Sequence, residues 1–258
     1  FCIKKKINFK CFQYVTMIKT YKQFKFCFLS RNGGISKGEF RSLNCSKTSK
    51  DLLKNVNHNL SLVKKKIRTS NIVLMNQIHS NKVINIKKID KTYTVDGLIS
   101  KKKNIVLGVL TADCAPIVIL GEKYFGIVHA GWKGVFSNII ENAVKKLIQN
   151  GEIKKNLVFI VGPHLMTYSF EIKEDFIKLM EKSKLIPENF IEQKKEKKFF
   201  NFSKLIESKI NQLGIKNYKI SKEDTFSNPK KYFSYRYYLK KGIKYCGRQI
   251  SLVGIKDR

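Results

Sequence analysis

Short apolar runs crowd the middle of this 258-residue chain, and polar or glycine-containing breaks separate them. The runs are rich in β-branched and aromatic residues and are too short for helices, so they predict β-strands. The predicted strands are residues 24–29, 71–75, 82–86, 105–110, 116–120, 124–129 and 157–161. This crowding predicts a core built on sheets.

Apolar residues with helical spacing flank these strands. The clearest stripe comprises Phe136, Ile139, Ile140, Ala143, Val144, Leu147 and Ile148, and Gly151 follows as a stop signal. Shorter stripes at residues 176–180 and 202–213 predict two further amphipathic helices, with a polar, lysine-rich loop between them. Strands clustered between helices favour an α+β sandwich over a regular βαβ alternation.

The pattern continues along the chain without a linker. No Pro-, Gly- or Ser-rich segment divides it and no fixed-period repeat is visible, so residues 17–258 are predicted to form a single domain. Residues 1–16 have no sustained apolar stretch, and Met17 opens an ordinary protein start. We therefore expect residues 1–16 to be a disordered or upstream extension.

Cysteine usage and the longest apolar run bear on the compartment. The six cysteines form no CxxC pair and no regular framework, which is typical of reduced thiols in a cytosol. The run at residues 105–120 is interrupted by Thr111, Asp113 and Pro116 and is too polar to span a membrane. We expect a cytoplasmic protein without a membrane segment. No pattern in the chain sets an oligomeric state.

The net charge of +33 is compatible with a phosphate-bearing partner such as nucleic acid. The lysines are nevertheless spread along the whole chain, and the clusters at 64–66, 101–103 and 194–198 fall where solvated loops are expected. No basic helix with interleaved aromatics and no RNA-binding or zinc-finger signature accompanies them. Specific nucleic-acid binding is therefore disfavoured, and a basic nucleic-acid-binding protein stays an alternative.

Four histidines are present, and two of them stand at the ends of predicted strands. His79 follows one strand, His129 ends another, and Cys114 lies between two buried strands. Two imidazoles and a thiolate suit zinc and leave a fourth position open for water, as in catalytic zinc sites. The same residues also suit plain structural roles, since a cysteine in an apolar run is often a small buried hydrophobe and a strand-end histidine is often a hydrogen-bonder.

Several motifs resemble those of one known family. They are RNGGIS (31–36), SLN (42–44), NQIHSNKV (76–83), DGLIS (96–100), TADCAPIVIL (111–120), GIVHAGWKG (126–134), VGPH (161–164), FSYR (233–236) and GRQ (247–249). In this order they resemble the laccase-domain family, also called the polyphenol-oxidase-like or purine nucleoside phosphorylase family. The resemblance covers nearly the whole chain.

The resemblance implies that His79, Cys114 and His129 bind the metal and take part in catalysis. It also implies an α/β/β/α order of layers, with mixed sheets between helices. The implied activities are phosphorolysis of adenosine, inosine, guanosine and methylthioadenosine, and hydrolytic deamination of adenosine. The implied partners are purine nucleosides and phosphate, with zinc as the metal and copper as its alternative.

Other polar residues in these motifs are candidates for the chemistry. Deamination at a zinc site requires a carboxylate that moves protons, and Asp113 is the nearest one; it could equally hydrogen-bond a turn. Phosphorolysis requires a phosphate site, which the arginine fork suits. In a lysine-rich chain, the motif arginines Arg31, Arg236 and Arg248 are the phosphate candidates, with a structural clamp as the other interpretation of each.

The remaining candidates are assigned to the surface or the core. His164 is expected to be exposed, and His58 to lie on the surface of a helix. Trp132 is expected in the core rather than as a face for purine stacking. Lys133 stands where an arginine is common in the family, and residues 237–239 after FSYR also depart from its pattern.

Two further chemistries remain open. A copper-dependent polyphenol oxidase is an alternative, because two histidines and a cysteine also bind copper, although four histidines are too few for a multicopper cluster. A cysteine hydrolase would use Cys114 as a thiolate nucleophile with a histidine as its base, and its activity would need no metal.

Overall fold

The predicted strands all form, and the central ones are buried along their whole length because they lie inside a layered structure. A computed structural model describes residues 18–86, 88–89, 92–181 and 187–256. The expected extension, residues 1–16, lies outside the described residues. No helix in the described ranges is both long enough and apolar enough to cross a membrane.

The elements follow in chain order. The strands are β1 (Lys19–Tyr21), β2 (Phe24–Phe28), β3 (Ile72–Asn76), β4 (Val83–Asn85), β5 (Tyr93–Thr94), β6 (Gly97–Ser100), β7 (Val106–Thr111), β8 (Ala115–Leu120), β9 (Phe125–Ala130), β10 (Val158–Val161), β11 (Glu171–Ile172), β12 (Ile191–Lys194), β13 (Lys197–Phe200), β14 (Tyr218–Ile220) and β15 (Gln249–Ile255). The α-helices are α1 (Leu53–Lys66), α2 (Trp132–Phe136), α3 (Ile139–Gln149), α4 (Glu174–Glu181), α5 (Phe202–Gln212) and α6 (Tyr235–Lys240). Short 3-10 helices occupy Gly38–Phe40, Lys154–Asn156, Thr167–Ser169 and Pro187–Phe190.

Two mixed sheets form the centre of the fold. The first sheet has the strand order β1-β2-β15-β7-β3-β5, and the second has the order β14-β10-β8-β9-β6-β4. Both contain antiparallel and parallel pairs: β7 pairs antiparallel with β15 but parallel with β3. A small third sheet, β11-β13-β12, lies beside them.

Three apolar clusters show the order of the layers. One cluster fills the space between the two sheets, with Phe24 and Leu107 from the first facing Phe125 and Ile160 from the second. A second cluster packs α1 on the outer face of the first sheet. The largest cluster packs α3 and α5 on the outer face of the second sheet. The chain therefore adopts the α+β fold with α/β/β/α layers, in a single domain.

Strand direction explains where the motif residues meet. Because β3 and β7 are parallel neighbours, their carboxyl ends lie at the same edge of the first sheet. The segments that follow these ends contain His79 and Cys114. On the second sheet, Pro116 at the start of β8 is paired with His129 at the end of β9. One end of the sandwich thus collects all three side chains.

The structure differs from the expectations in two places. The segment expected as a lysine-rich loop contains an antiparallel hairpin of β12 and β13, in which Lys194 pairs with Lys197. Its outward residues are exposed and polar, so no apolar run marks it. The helix expected across residues 136–148 is divided into α2 and α3, because Asn138 has a φ of 69° and interrupts the helical backbone.

Candidate metal centre

Three segments bring His79, Cys114 and His129 together. Their ligand atoms, one from each side chain, all lie within 4.8 Å of one another. Cys114 Sγ is 3.8 Å from His79 Nε2, and the two imidazole rings meet edge to face with centroids 4.8 Å apart. Within the described residues, this is the one group of His, Cys, Asp or Glu side chains compact enough to share a metal ion.

The backbone around this cluster is constrained. His79 has a φ of 58° and Asp113 has a φ of 90°, a region that residues with a Cβ adopt only where the surroundings hold them. Gly131 follows two residues after His129, and an added Cβ there would stand 2.8 Å from His79 Cδ2 and 3.3 Å from Cys114 Sγ. Glycine at this position therefore leaves the room that two of the three candidate ligands occupy.

Electrostatics couple the three candidate ligands. His129 is buried, and its Nδ1 lies 2.8 Å from the carboxylate of Asp96. Burial lowers the pKa of His129, but Cys114 and Asp96 outweigh this and raise the pKa to about 9. Burial raises the pKa of the Cys114 thiol, but His129 and His79 outweigh this and lower the pKa to about 6. In the metal-free protein, a thiolate therefore faces a protonated imidazole at neutral pH.

The other described thiols are unlike Cys114. Burial raises the pKa of Cys27 and of Cys45 to about 12 in each case, and burial also raises the pKa of Cys246. Since the thiolate is the form that binds metals and attacks electrophiles, Cys114 is the reactive cysteine of the described part of the chain.

The donor set fits a zinc ion. With zinc–sulfur and zinc–nitrogen bonds of about 2.3 and 2.0 Å, two ligand atoms on a tetrahedral ion lie about 3.5 Å apart. The 3.8 Å between Cys114 Sγ and His79 Nε2 is close to this separation. Asp96 engages Nδ1 of His129, which leaves Nε2 as the ligand atom of that ring. Three protein ligands leave a position open for substrate or water, and the same set also suits copper.

The cluster forms part of the wall of a cleft of about 1230 Å³. This volume exceeds that of typical small-molecule sites, which span about 300–1,000 Å³. Near the cluster the lining is aromatic and includes Trp132, Phe170, Phe176 and Phe202. The cleft therefore offers both apolar faces and a reactive centre.

The charged lining of the cleft is mostly basic. Within the described residues it comprises Lys47, Lys64, Arg236 and Arg248, with Asp113 as the one carboxylate. An excess of cations in a cleft raises the local concentration of anionic ligands. The cleft thus favours substrates or co-substrates that carry negative charge.

The carboxylate of Asp113 is engaged by the protein itself. It accepts hydrogen bonds from Thr225 Oγ1 at 2.6 Å and from the backbone N–H of Arg236 at 2.7 Å. Burial raises the pKa of Asp113, and these hydrogen bonds oppose the rise. Of its two expected roles, the geometry agrees with the one in which Asp113 hydrogen-bonds the backbone of a turn.

The structure does not bring Arg31 to the cleft. Its guanidinium donates to the carbonyl of Pro229 at 2.8 Å and to the hydroxyl of Tyr238 at 3.0 Å, and it lies 4.4 Å from the ring centroid of Phe233. Arg31 is buried, and its donors are used by these groups and by the carbonyl of Arg41. This is the structural clamp that was the other interpretation of its motif.

Arg236 and Arg248 do line the cleft. Arg236 donates from Nη1 to the carbonyl of Glu171 at 2.8 Å, and its guanidinium lies 5.1 Å from the ring centroid of Phe170. Arg248 donates from Nη1 to the carbonyls of Cys246 and Gly247. In both residues the protein fixes one guanidinium nitrogen, which orients the rest of the fork.

Comparison with known proteins identifies the family. Residues 25–256 match the family described as multi-copper polyphenol oxidoreductase laccase. The chain belongs to this laccase family. The match spans all the strands of the two central sheets except β1 and Phe24, the first residue of β2.

Relatives of this laccase-family chain carry a different name. It is 34 % identical over 203 residues to the purine nucleoside phosphorylase RP494 of Rickettsia prowazekii, covering 77 % of this chain and 84 % of that protein. It is also 34 % identical over 188 residues to the purine nucleoside phosphorylase Cj1217c of Campylobacter jejuni, covering 72 % and 77 %. The crystal structure of YfiH from Bacillus licheniformis has the same fold, with a TM-score of 0.83 and 24 % identity over 91 % of this chain and 94 % of that one.

The histidines limit what this laccase-family member binds. The chain has four, and two stand in the cluster. His164 is fully buried, so its expected exposure is wrong: its Nδ1 lies 2.9 Å from the carbonyl of Gly162 and its Nε2 2.8 Å from Ser203 Oγ. His58 is exposed on α1, as expected. Neither is a ligand of the cluster, and a multicopper site would need more imidazoles than the chain has.

Two residues near the cluster have functions that the sequence did not resolve. Trp132 is partly buried against Phe176, at 4.7 Å between ring centroids, and it also lines the cleft. Trp132 therefore packs in the core, as expected, and also presents part of its ring to the cleft, which was not expected. Asp96 was not singled out at all. The available signal was a carboxylate directly before the buried strand β6, within the DGLIS motif.

Proposed function

We propose that this chain is a zinc-dependent purine nucleoside phosphorylase acting on adenosine, inosine, guanosine and methylthioadenosine, with deamination of adenosine as a second activity. The observation that carries the proposal is the cluster of His79, Cys114 and His129 in a cleft with aromatic and guanidinium lining. Support also comes from the relatives of Rickettsia prowazekii and Campylobacter jejuni, which are named purine nucleoside phosphorylases.

The aromatic lining is suited to a purine base. Trp132 and Phe176 are partly buried and offer ring surface to the cleft, while the buried Phe170 and Phe202 complete its wall. Stacking of a base on an aromatic ring stabilises binding by about 1–3 kcal/mol. These side chains also exclude water from the reacting bond, which strengthens every electrostatic contact there. In the proposed complex the base lies among these rings.

Arg236 and Arg248 are the proposed phosphate-binding residues. A guanidinium fork binds two oxygens of one phosphate, and both residues have one nitrogen fixed by backbone carbonyls. Asp113 supports Arg236 by accepting its backbone N–H at the start of α6. In this assignment Asp113 positions a binding residue and does not itself move a proton.

The metal centre is the proposed catalytic element. Zinc bound there would supply Lewis acidity at the reacting atoms. The chain contributes a cysteine that is already ionised at neutral pH and a histidine whose Nδ1 is engaged by Asp96, so that its Nε2 faces the cluster. Phosphorolysis is favoured over deamination, because within the described residues the one carboxylate of the cleft is occupied by Thr225 and Arg236.

The first experiment is metal analysis combined with turnover of adenosine and inosine, with and without phosphate. We expect about one zinc per chain and base release that depends on phosphate. Cys114→Ala should lose both the metal and base release. Cys27→Ala is the matched control, since Cys27 is buried on β2 and does not line the cleft, so that the change should leave both unchanged. Native protein that is metal-free and inert would refute the proposal.

The same experiment separates two other chemistries. A cysteine hydrolase is favoured by one observation, the low pKa of Cys114, which is about 6 beside His129. Activity that survives a chelator and is abolished by alkylation would establish it. Copper in place of zinc, together with phenol oxidation, would establish the polyphenol oxidase. Steeply salt-dependent nucleic-acid binding that is indifferent to Cys114→Ala would support the nucleic-acid alternative.

We also propose a cytoplasmic location. The support is the state of the described cysteines: Cys27, Cys45, Cys114 and Cys246 are all free thiols. A reducing compartment keeps thiols in this form. Fractionation of the native source, with detection of the chain in the soluble cytoplasmic fraction, would test it.

A further inference from the structure

The buried carboxylate of Asp96 accepts hydrogen bonds from five donors, four on the segment after β3 and one at the end of β9. It precedes β6 and is completely inaccessible to solvent. Its Oδ1 lies 3.0 Å from the backbone nitrogen of His79 and 2.8 Å from Nδ1 of His129. Its Oδ2 accepts from the backbone N–H and the hydroxyl of Ser80, at 2.6 and 2.7 Å, and from the N–H of Ile78 at 3.3 Å.

These contacts reach the two candidate histidine ligands in different ways. On His79 the carboxylate holds the backbone, whose left-handed φ of 58° would otherwise be unfavourable. On His129 it holds the ring, because Nδ1–H donates to Asp96 and Nε2 is therefore the nitrogen that gives up its proton when a metal binds. The carbonyl of Asp96 also accepts the backbone N–H of His129 at 2.7 Å. One residue thus fixes where both imidazoles point.

We propose that Asp96 is the positioning residue of the metal centre, which sets the backbone of His79 and the orientation of the His129 ring so that both face Cys114 before an ion binds, and which keeps Nδ1 of His129 protonated so that Nε2 is the nitrogen that binds the ion. The inference rests on the proposed metal centre but goes beyond it, since it assigns the preformed geometry to a residue that contacts no substrate. It also explains why a carboxylate is needed at this position. All five groups that point at Asp96 are donors, and an amide would present its own N–H groups to some of them.

The test is the zinc affinity of metal-free Asp96→Asn, measured by competition with a chromophoric chelator. Loss of a residue that orients a metal-binding histidine typically weakens metal affinity about 10–100-fold. The zinc affinity of Asp96→Asn is expected to weaken within that range. The matched control is Glu152→Gln. Glu152 is also a buried carboxylate, and it accepts backbone N–H groups from Glu122, Lys123 and Tyr124 at the opposite end of β8 and β9. It should lose stability without losing zinc affinity.

A second measurement uses the native chain and does not depend on the variant folding. Nitrogen–proton correlation spectra of the imidazole rings in the zinc-loaded protein should show His129 protonated at Nδ1 and unprotonated at Nε2. A proton on Nε2 would overturn the inference.

The outcomes separate this inference from the proposed function. Asp96→Asn that binds zinc as tightly as the native chain overturns the positioning role and leaves the phosphorylase proposal intact. Native protein that binds no zinc overturns both. Weakened zinc binding in Asp96→Asn but not in Glu152→Gln supports the role, whether or not any nucleoside is turned over.

Discussion

The ionisation of Cys114 leads to a prediction that can be measured without knowing the substrate. In metal-free protein at pH 6, a thiol with a pKa of about 6 is half ionised, whereas a thiol with a pKa of about 12 has about one thiolate per million. A thiolate of lower pKa is a weaker nucleophile, with a Brønsted slope of about 0.45. The ionised Cys114 is therefore about 500-fold less nucleophilic than an ionised Cys27, which reduces its advantage. Cys114 should therefore react about 1,000-fold faster than Cys27, before the burial of Cys27 is counted.

The assay is alkylation by iodoacetamide of chelator-treated protein between pH 5 and 9, with peptide mapping by mass spectrometry. Mapping is needed because Cys2 and Cys11 lie outside the described residues. The Cys114 rate should rise to a plateau with a midpoint near pH 6, and zinc should suppress it. His129→Ala should move the midpoint upward, because His129 supplies the main stabilisation of the thiolate. A midpoint near pH 8.5 in the native metal-free chain would refute the stabilisation of the Cys114 thiolate by His129.

Further predictions concern the surroundings of the cluster. Gly131→Ala should weaken zinc binding about tenfold or more, since the new Cβ would meet the ring of His79 at 2.8 Å; unchanged affinity in a chelator competition would contradict this. Arg31→Lys should lower the free energy of unfolding by about 2 kcal/mol, because lysine cannot replace the hydrogen bond to Tyr238 or the planar guanidinium. The KM for phosphate should stay unchanged, and a raised KM would show that Arg31 binds phosphate after all. Burial raises the pKa of Asp96, but hydrogen bonds from His129 and Ser80 lower it to about 2, below an unfolded value of about 3.8. Its stabilisation of about 2 kcal/mol is thus present above about pH 4 and lost as the pH falls towards 2, and urea unfolding of metal-free native and Asp96→Asn protein at pH 6 and pH 3 should show the difference shrinking.

The strands were predictable because each is a short run with its own boundaries. The run at 115–120 is buried at every position, and such a segment needs no tertiary information to be recognised. The hairpin of β12 and β13 was not predictable in this way. Its strands are mostly solvent-exposed, and only their ends, Ile191 and Phe200, pack on the core, while β13 also pairs with β11. Pattern analysis detects burial, so it misses strands that are not buried.

The residues of the candidate site also differ in how well the sequence alone reveals them. His79, Cys114 and His129 were found because few residue types bind zinc and the chain has few of them. The arginines could not be sorted, since Arg31 and Arg248 look alike in sequence and differ only in what the fold places around them. Asp96 was missed for the same reason. Its importance comes from five donors in two segments, residues 78–80 and His129, and neither is near enough to Asp96 in sequence to suggest a shared acceptor.

The three ligands are divided between the sheets, and this has a mechanical consequence. His79 follows a strand of the first sheet, His129 ends a strand of the second, and Cys114 lies on the connection between them. An ion held by all three would cross-link the two sheets at this end of the sandwich. The sheets could then separate only if the metal were released. Since a ligand that binds only the folded chain stabilises it by RT ln(1 + [L]/Kd), the lifetime of the protein in a cell would follow the local supply of the metal.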